Sequence, residues 1–125
     1  MAYRGRLAPT PTGYLHLGPA RTFWQAQQRA ETFLGTLILR VEDLDRDRCK
    51  PHYYNDLIED LRWLGCRWQE GPDVGGDYGP YCQRDRTSHY QQVWQQLNCK
   101  QVIYPSPHSR NAVARAISAP HEGAR

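Results

Sequence analysis

RGRLAPTPTGYLHLGPART, from Arg4 to Thr22, is the stretch that decides the fold. Residues 4–8 are short and end at Pro9, the pattern of a strand that stops where proline removes a backbone donor. Residues 9–18 hold Pro9, Pro11, Gly13 and Gly18 and read as a loop. The spacing then predicts a helix over 19–34. Pro19 suits its first turn, Phe23, Ala26, Ala30, Phe33 and Leu34 fall on one face, and Gly35 is a natural stop. Thr36 to Val41 is nearly continuous in Leu37, Ile38, Leu39 and Val41, as expected of a parallel strand covered on both faces. Strand, helix and strand within about 40 residues make a βαβ unit.

The same reading extends along the chain. A second helix is expected from residue 51 or 52 to Leu64, with Tyr54, Leu57, Ile58, Leu61 and Leu64 as its apolar stripe and Gly65 as its end. Residues 70–81, EGPDVGGDYGPY, form a Gly/Pro-rich loop. A third helix over 86–97 carries Tyr90, Val93, Trp94 and Leu97 on one face. A short strand is expected at 101–104 and a further helix at 109–117. Alternating strands and helices point to an α/β fold with an open parallel sheet and helices on both faces.

Composition narrows the function classes. The chain has 125 residues, enough for one domain with a modest core or for part of a larger one. A formal charge of +3 permits a nucleic-acid partner without arguing for one. No apolar run approaches the roughly 18–20 residues of a membrane span. The opening does not read as a signal peptide, and Cys49, Cys66, Cys82 and Cys99 form no close pair, so reduced thiols and a cytoplasmic location are expected.

Two stretches carry chemistry. In open parallel sheets, ligands bind outside the carboxyl ends of the strands. The loop 9–18 brings backbone N–H groups and a helix N-terminus there, a setting that attracts phosphate, with His16 as a further donor. LILRVEDLDRDR, Leu37 to Arg48, places Glu42, Asp43, Asp45 and Asp47 at the end of the second strand. If the strands are neighbours, Arg6 and Glu42 point into one crevice a few ångströms apart, fit to hold the carboxylate and ammonium of an amino acid. Asp43, Asp45 and Asp47 read better as a solvated loop or a capping run.

PTPTGYLHLG with the following alanine and arginine, then LRVEDLDRDR about 20 residues on, resembles class I glutamyl-tRNA synthetases and their small paralogues, the glutamyl-queuosine tRNA(Asp) synthetases. EGPDVGGDYGPYCQRDR extends the likeness, which runs from Arg4 to about Arg110. It implies a Rossmann-like catalytic domain of the HUP type, of which residues 1–125 form the N-terminal part. Such a domain activates glutamate with ATP and Mg2+ and passes the glutamyl group to tRNA. By motif, Arg6 binds the side-chain carboxylate of the substrate, while Ala8, Thr10 and Glu42 line the amino-acid pocket, with Glu42 on the ammonium. Pro11 to Ala20 match the ATP motif of the HIGH type: Pro11, Thr12 and Gly13 are binding residues, and His16 and Gly18 are the catalytic histidine and glycine.

Three departures accompany the likeness. Pro19 stands where the family has a small residue or histidine, which removes one phosphate contact. Ser106 and His108 stand where relatives often carry a Cys-x-Cys of a zinc site, so that site is expected to be lost or rebuilt. The lysine-rich second ATP motif of the KMSKS type is absent from these residues, so adenylation by this piece alone is expected to be feeble. The texture of PSPHSR and APHEG favours the queuosine-directed paralogue, whose acceptor is tRNA(Asp); tRNA(Glu) is the alternative. The paralogue activates glutamate without tRNA, whereas the full synthetase needs its tRNA. A non-catalytic nucleotide- or tRNA-binding module is the competing class, disfavoured by the intact Arg6, His16 and Glu42.

Overall fold

The computed structural model describes residues 2–118. In chain order these form β1 (Arg4–Leu7), α1 (Leu17–Thr32), β2 (Thr36–Leu39), α2 (Pro51–Trp63), a 3₁₀ turn (Gln83–Arg86), α3 (Thr87–Cys99) and α4 (Arg110–Ser118). The chain divides into two compact units, one running through Tyr90 and the other starting at Gln91.

In the first unit β1 and β2 pair in parallel, Arg4 opposite Thr36 and Leu7 opposite Leu39. Side chains alternate across the strands, so Leu7, Leu37 and Leu39 share one face. There they join Val41, Ala30 of α1 and Leu57, Ile58 and Leu61 of α2 in a single core. Each fully buried leucine or valine contributes roughly 1.5–3 kcal/mol. Arg4 and Arg6 alternate with the core positions of β1 and remain exposed.

β2 is the middle track of this sheet. Its far edge is taken by the 70–81 loop rather than by another regular strand. Isolated parallel bridges join Ile38 to Glu70 and Val41 to Cys82. The loop closes on itself where Gly71 and Gly75 exchange backbone hydrogen bonds of 2.9 and 2.8 Å. Glu70 Oε2 accepts from the Tyr81 hydroxyl at 2.7 Å and Oε1 from Arg4 Nη2 at 2.7 Å, which ties this loop to β1.

Three helices end in the same way. The N–H two positions past the left-handed residue's predecessor reaches back five residues, and the left-handed residue's own N–H reaches back three. After α2 these bonds are Cys66 to Leu61 and Gly65 to Arg62, with Gly65 at φ 84. After α1 they are Gly35 to Ala30 and Leu34 to Glu31, and the left-handed seat belongs to Leu34 at φ 47. Gly35 is needed for another reason: a Cβ there would stand 2.5 Å from the Tyr3 carbonyl oxygen. The helix therefore covers 17–32 instead of 19–34, and Phe33 and Leu34 are exposed rather than part of its buried face.

The strand expected at 101–104 does not form. Gln101 takes the left-handed seat at φ 53, and Gln101 and Val102 donate back to Asn98 and Leu97 to terminate α3. The stripe of α3 (Tyr90, Val93, Trp94 and Leu97) is on the helix as expected, but none of the four is buried. In the second unit Ser109 caps α4, its hydroxyl accepting from the Ala112 N–H at 3.1 Å. The four cysteines are free thiols. Among the described residues no helix is long and apolar enough to cross a membrane.

Two measurements check this account. Gly35→Ala should lower stability by about 1–3 kcal/mol, because the new methyl meets backbone and cannot be accommodated by a rotamer change; Leu34→Gly should not lower it, since left-handed backbone suits glycine. Urea denaturation midpoints of the two variants decide. The Tyr81 hydrogen bond, opposed by desolvation and reinforced by Arg4, holds the Glu70 carboxyl below its ordinary value of 4.5. A depressed folded-state value stabilises above pH 4.5 and loses that contribution as pH falls through it. Glu70→Gln should therefore flatten the acid limb of midpoint against pH while leaving its slope near neutrality unchanged.

Candidate functional site

The backbone bonds that continue the β1–β2 pairing fix the site. Arg40 N–H donates to Leu7 O and Glu42 N–H to Pro9 O, both at 2.9 Å. The parallel register thus persists past the regular strands and sets Ala8 opposite Arg40 and Thr10 opposite Glu42. Alternation puts Arg6, Ala8 and Thr10 on one face with Ile38, Arg40 and Glu42. These residues are exposed or half-buried, while their alternates Leu7, Pro9, Leu39 and Val41 are buried.

Arg6 and Glu42 share this stripe without standing side by side. Arg6 lies opposite Ile38, four positions before Glu42, which is about 13 Å along the strands at about 3.3 Å per residue. The expected separation of a few ångströms is therefore too short; the two groups stand toward opposite ends of the stripe. Arg6 makes no ion pair or side-chain hydrogen bond among the described residues. Glu42 is paired instead with Arg40, whose Nε and Nη2 approach the single oxygen Oε1 at 2.6 and 2.5 Å. A third donor, Gln83 Nε2, reaches the same oxygen at 3.4 Å.

Beyond the stripe, an open cavity of about 330 Å³ lies where β1 gives way to α1. Ala8, Thr10, Thr12, Gly13, His16 and Pro19 line it, with Phe23 and Leu57 as its apolar floor. Six sequence-derived positions thus surround one space. Pro11 is buried beneath the loop, and neither Gly18, Arg6 nor Glu42 lines this cavity. His16 is the N-cap of α1, exposed, and its side chain caps nothing. An added Cβ on Gly18 would lie 3.7 Å from His16 Nδ1, so the histidine ring sits close over the first turn. No acidic residue occupies that turn, which leaves the positive end of the helix dipole uncompensated.

Asp43 departs from the solvated reading. It is 3% exposed, its Oδ1 accepts from the Arg84 N–H at 3.0 Å, and the Arg84 Nε stands 3.2 Å from Oδ2. That guanidinium is too poorly aligned to donate, so Oδ2 accepts no hydrogen bond. Asp43 thereby holds the 3₁₀ turn against the end of β2. Asp45 caps no helix, the N-cap of α2 being Lys50; it stays in the exposed loop and closes a turn, accepting from Arg48 N–H and Arg48 Nε, and its carboxyl is lowered chiefly by the Arg48 side chain. Gln83 and Asp43 escape sequence reasoning because their partners lie far off in sequence, Gln83 and Glu42 being 41 positions apart and Asp43 and Arg84 also 41. Arg40 pairs locally, two positions before Glu42 on the same face, a signal that strand alternation could have found. Among the described residues no three His, Cys, Asp or Glu side chains converge to hold a metal.

Residues 2–112 match the family model described as tRNA synthetases class I (E and Q), catalytic domain. The chain is 50% identical over 117 residues to the glutamyl-Q tRNA(Asp) synthetase of Symbiobacterium thermophilum, covering 94% of this chain and 36% of that protein. It is 48% identical over 104 residues to glutamate–tRNA ligase 2 of Acidithiobacillus ferrooxidans, covering 83% of this chain and 22% of the ligase. The chain thus spans about a third or less of the length of these relatives. The crystal structure of a glutamate tRNA ligase from Elizabethkingia meningosepticum in complex with its amino acid superposes with a TM-score of 0.74 at 31% identity, over 93% of this chain and 23% of the ligase.

Replacing Asp43 tests how the 3₁₀ turn is held. Asp43→Ala removes the acceptor of the part-buried Arg84 N–H bond and should cost about 1–3 kcal/mol, whereas Asp43→Asn keeps an acceptor and should cost less. Denaturant midpoints of the two variants, at unchanged slope, measure the difference.

Proposed function

Because this chain belongs to the family of class I tRNA synthetase (E and Q) catalytic domains, we propose that it is the nucleotide- and amino-acid-binding part of an enzyme that activates glutamate with ATP and transfers it to tRNA. The stripe from Arg6 to Glu42 leading to the cavity at the start of α1 is the observation that carries this reading. It presents a cation at one end and a carboxylate at the other. An arginine side chain, an extended amino diacid and a glutamate side chain, laid end to end, span the offset between them.

Arg6 takes the substrate's side-chain carboxylate, with the bidentate geometry that a guanidinium offers. Glu42 takes the ammonium, and Ala8 and Thr10 lie between as small neighbours. The remaining carboxylate is then the nucleophile. One of its oxygens attacks the α-phosphorus of ATP, the bond from that phosphorus to the bridging oxygen breaks, and pyrophosphate leaves with the electron pair. Charge develops on the phosphoryl oxygens beside the first turn of α1. There His16 and the N–H groups of Leu17 and Gly18 are placed to donate, in a preorganised setting that is worth most as charge builds. Pro11, Thr12 and Gly13 shape the loop that admits the nucleotide. ATP would enter as its Mg2+ complex, and the ion would neutralise part of the phosphate charge. An RNA hydroxyl then attacks the acyl carbon of the adenylate, AMP departs, and an ester remains.

For the acceptor we favour queuosine in the anticodon of tRNA(Asp). Support comes from the longer match to the glutamyl-Q relative, 94% of this chain against 83% for the ligase. The second reading, charging of tRNA(Glu), is supported by the nearly equal identity of that ligase.

Glutamate-dependent ATP–pyrophosphate exchange on the full-length gene product, without tRNA, tests the proposal. Exchange is expected. Activity that appears only with tRNA(Glu) replaces the acceptor, and silence with every tRNA favours a binding module. In the active protein Arg6→Ala should raise the glutamate KM at least about tenfold and leave the ATP KM nearly unchanged. His16→Ala should lower kcat by about 10²-fold with little change in glutamate affinity. Parent-like behaviour of both variants overturns the site assignment.

A further inference from the structure

We propose that Gln83 is a positioning residue for Glu42, part of a Tyr90–Gln83–Glu42 relay that, together with Arg40, occupies Glu42 Oε1 and reserves Oε2 for the substrate ammonium; this rests on the assignment of Glu42 to that ammonium. Gln83 is 4% exposed, a costly place for an amide unless both of its ends are satisfied. Both are. Its Oε1 accepts from the Tyr90 hydroxyl and its Nε2 donates to Glu42 Oε1. Its backbone is fixed as well, with Gln83 N–H donating to Val41 O at 3.0 Å next to Glu42.

The polarity of the relay follows from chemistry alone. An ionised carboxylate only accepts, so the amide must turn its NH₂ toward Glu42. That leaves the amide oxygen facing Tyr90, and the hydroxyl must donate to it. Each group thus has one orientation that satisfies all three. Arg40 converges on the same carboxylate oxygen, while Oε2 has no partner among the described residues and the side chain is 28% exposed. Two residues on one oxygen, Arg40 and Gln83, fix the carboxylate's rotation and leave its second oxygen as the acceptor for the substrate.

Asp43 supports the relay from the next residue. Asp43 anchors Arg84, the residue after Gln83, so the turn that presents the amide is held from the β2 side. Gln83 does not line the cavity at the start of α1, so its loss should be read in glutamate binding alone.

The test uses the full-length gene product in glutamate-dependent exchange. Gln83→Met, close in volume but without a donor, should raise the glutamate KM about fivefold while kcat and the ATP KM stay within about twofold. Gln83→Glu sets a second carboxylate against Glu42, and its protonated form can donate again. Its glutamate KM should therefore rise further at neutral pH and recover as pH falls through the new group's pKa. A merely structural residue would show no such recovery. Should Gln83→Met fail to fold, Tyr90→Phe removes one hydroxyl from a partly exposed residue and should raise the glutamate KM about twofold. Glutamate KM values unchanged in these variants, while Glu42→Gln raises its own, overturn the relay and leave the functional reading intact. Equal rises in the glutamate and ATP KM values also overturn it. A Glu42→Gln variant with the parent's glutamate KM overturns both.

Discussion

The hydrogen-bond alternation of the β2 backbone is the constraint on which the rest depends. Leu39 and Val41 donate to one side, to Glu70 and Tyr81, while Arg40 and Glu42 donate to the other, to Leu7 and Pro9. Four consecutive residues are therefore stitched alternately to two loops that are far apart in sequence. The loop after β1 cannot slide along β2 without breaking the pair to Leu7 and Pro9. The Gly/Pro loop cannot shift without breaking the pair to Glu70 and Tyr81. A slip of one residue would also exchange the two faces and bury Arg40 and Glu42 in place of Leu39 and Val41. Burial of the leucines and placement of the charged groups are thus the same fact about register.

The charges on this stripe are treated unequally, and their surroundings account for it. Arg6 is exposed and keeps its hydration, so a lone guanidinium costs little there. Glu42 is half-buried between two stitched loops, where an unpaired carboxylate costs more. It is the one that carries a close arginine and an amide. A partly exposed pair of this kind is worth about 1 kcal/mol, so its main effect is geometric: it sets which carboxylate oxygen remains available. A ligand ammonium meeting Glu42 then approaches a carboxylate already turned, and less conformational freedom is lost on binding.

Much of this was legible in the sequence. The βαβ unit announces itself through period and punctuation, and the stripe of α2 (Leu57, Ile58 and Leu61) is buried as its spacing requires. The loop residues Thr10, Thr12, Gly13 and His16 come together because they follow one strand and precede one helix, a local arrangement. What escaped is non-local or decided by a single torsion. Leu34 and Gln101 take left-handed seats that no composition rule assigns to leucine or glutamine. The second of these turns an expected strand at 101–104 into a helix terminus. Asp43 and Asp45 look alike in the acidic run, yet Asp43, two positions past the buried Val41, lies on the same inward side and meets Arg84. The other stays with its neighbour Arg48. The same limit hides Gln83, whose role exists only because Val41 lies beside it.

Pro19 illustrates how a departure from a motif can be read physically. It occupies the third position of α1, where the missing N–H would have had no helical partner in any case. That N–H, or the one before it, is the donor that an N-cap side chain normally binds. With proline in place one capping donor is gone, and the N-cap residue His16 indeed caps nothing. The proline and the free histidine are two aspects of one arrangement. The first turn gives up one donor, its entry torsion is fixed by the pyrrolidine ring, and the imidazole has no duty toward its own helix. Leu17 and Gly18 still present their N–H groups at the positive end of the dipole. A phosphate placed there meets fewer backbone donors than at an unmodified first turn, but the turn is stiffer and the ring beside it is uncommitted.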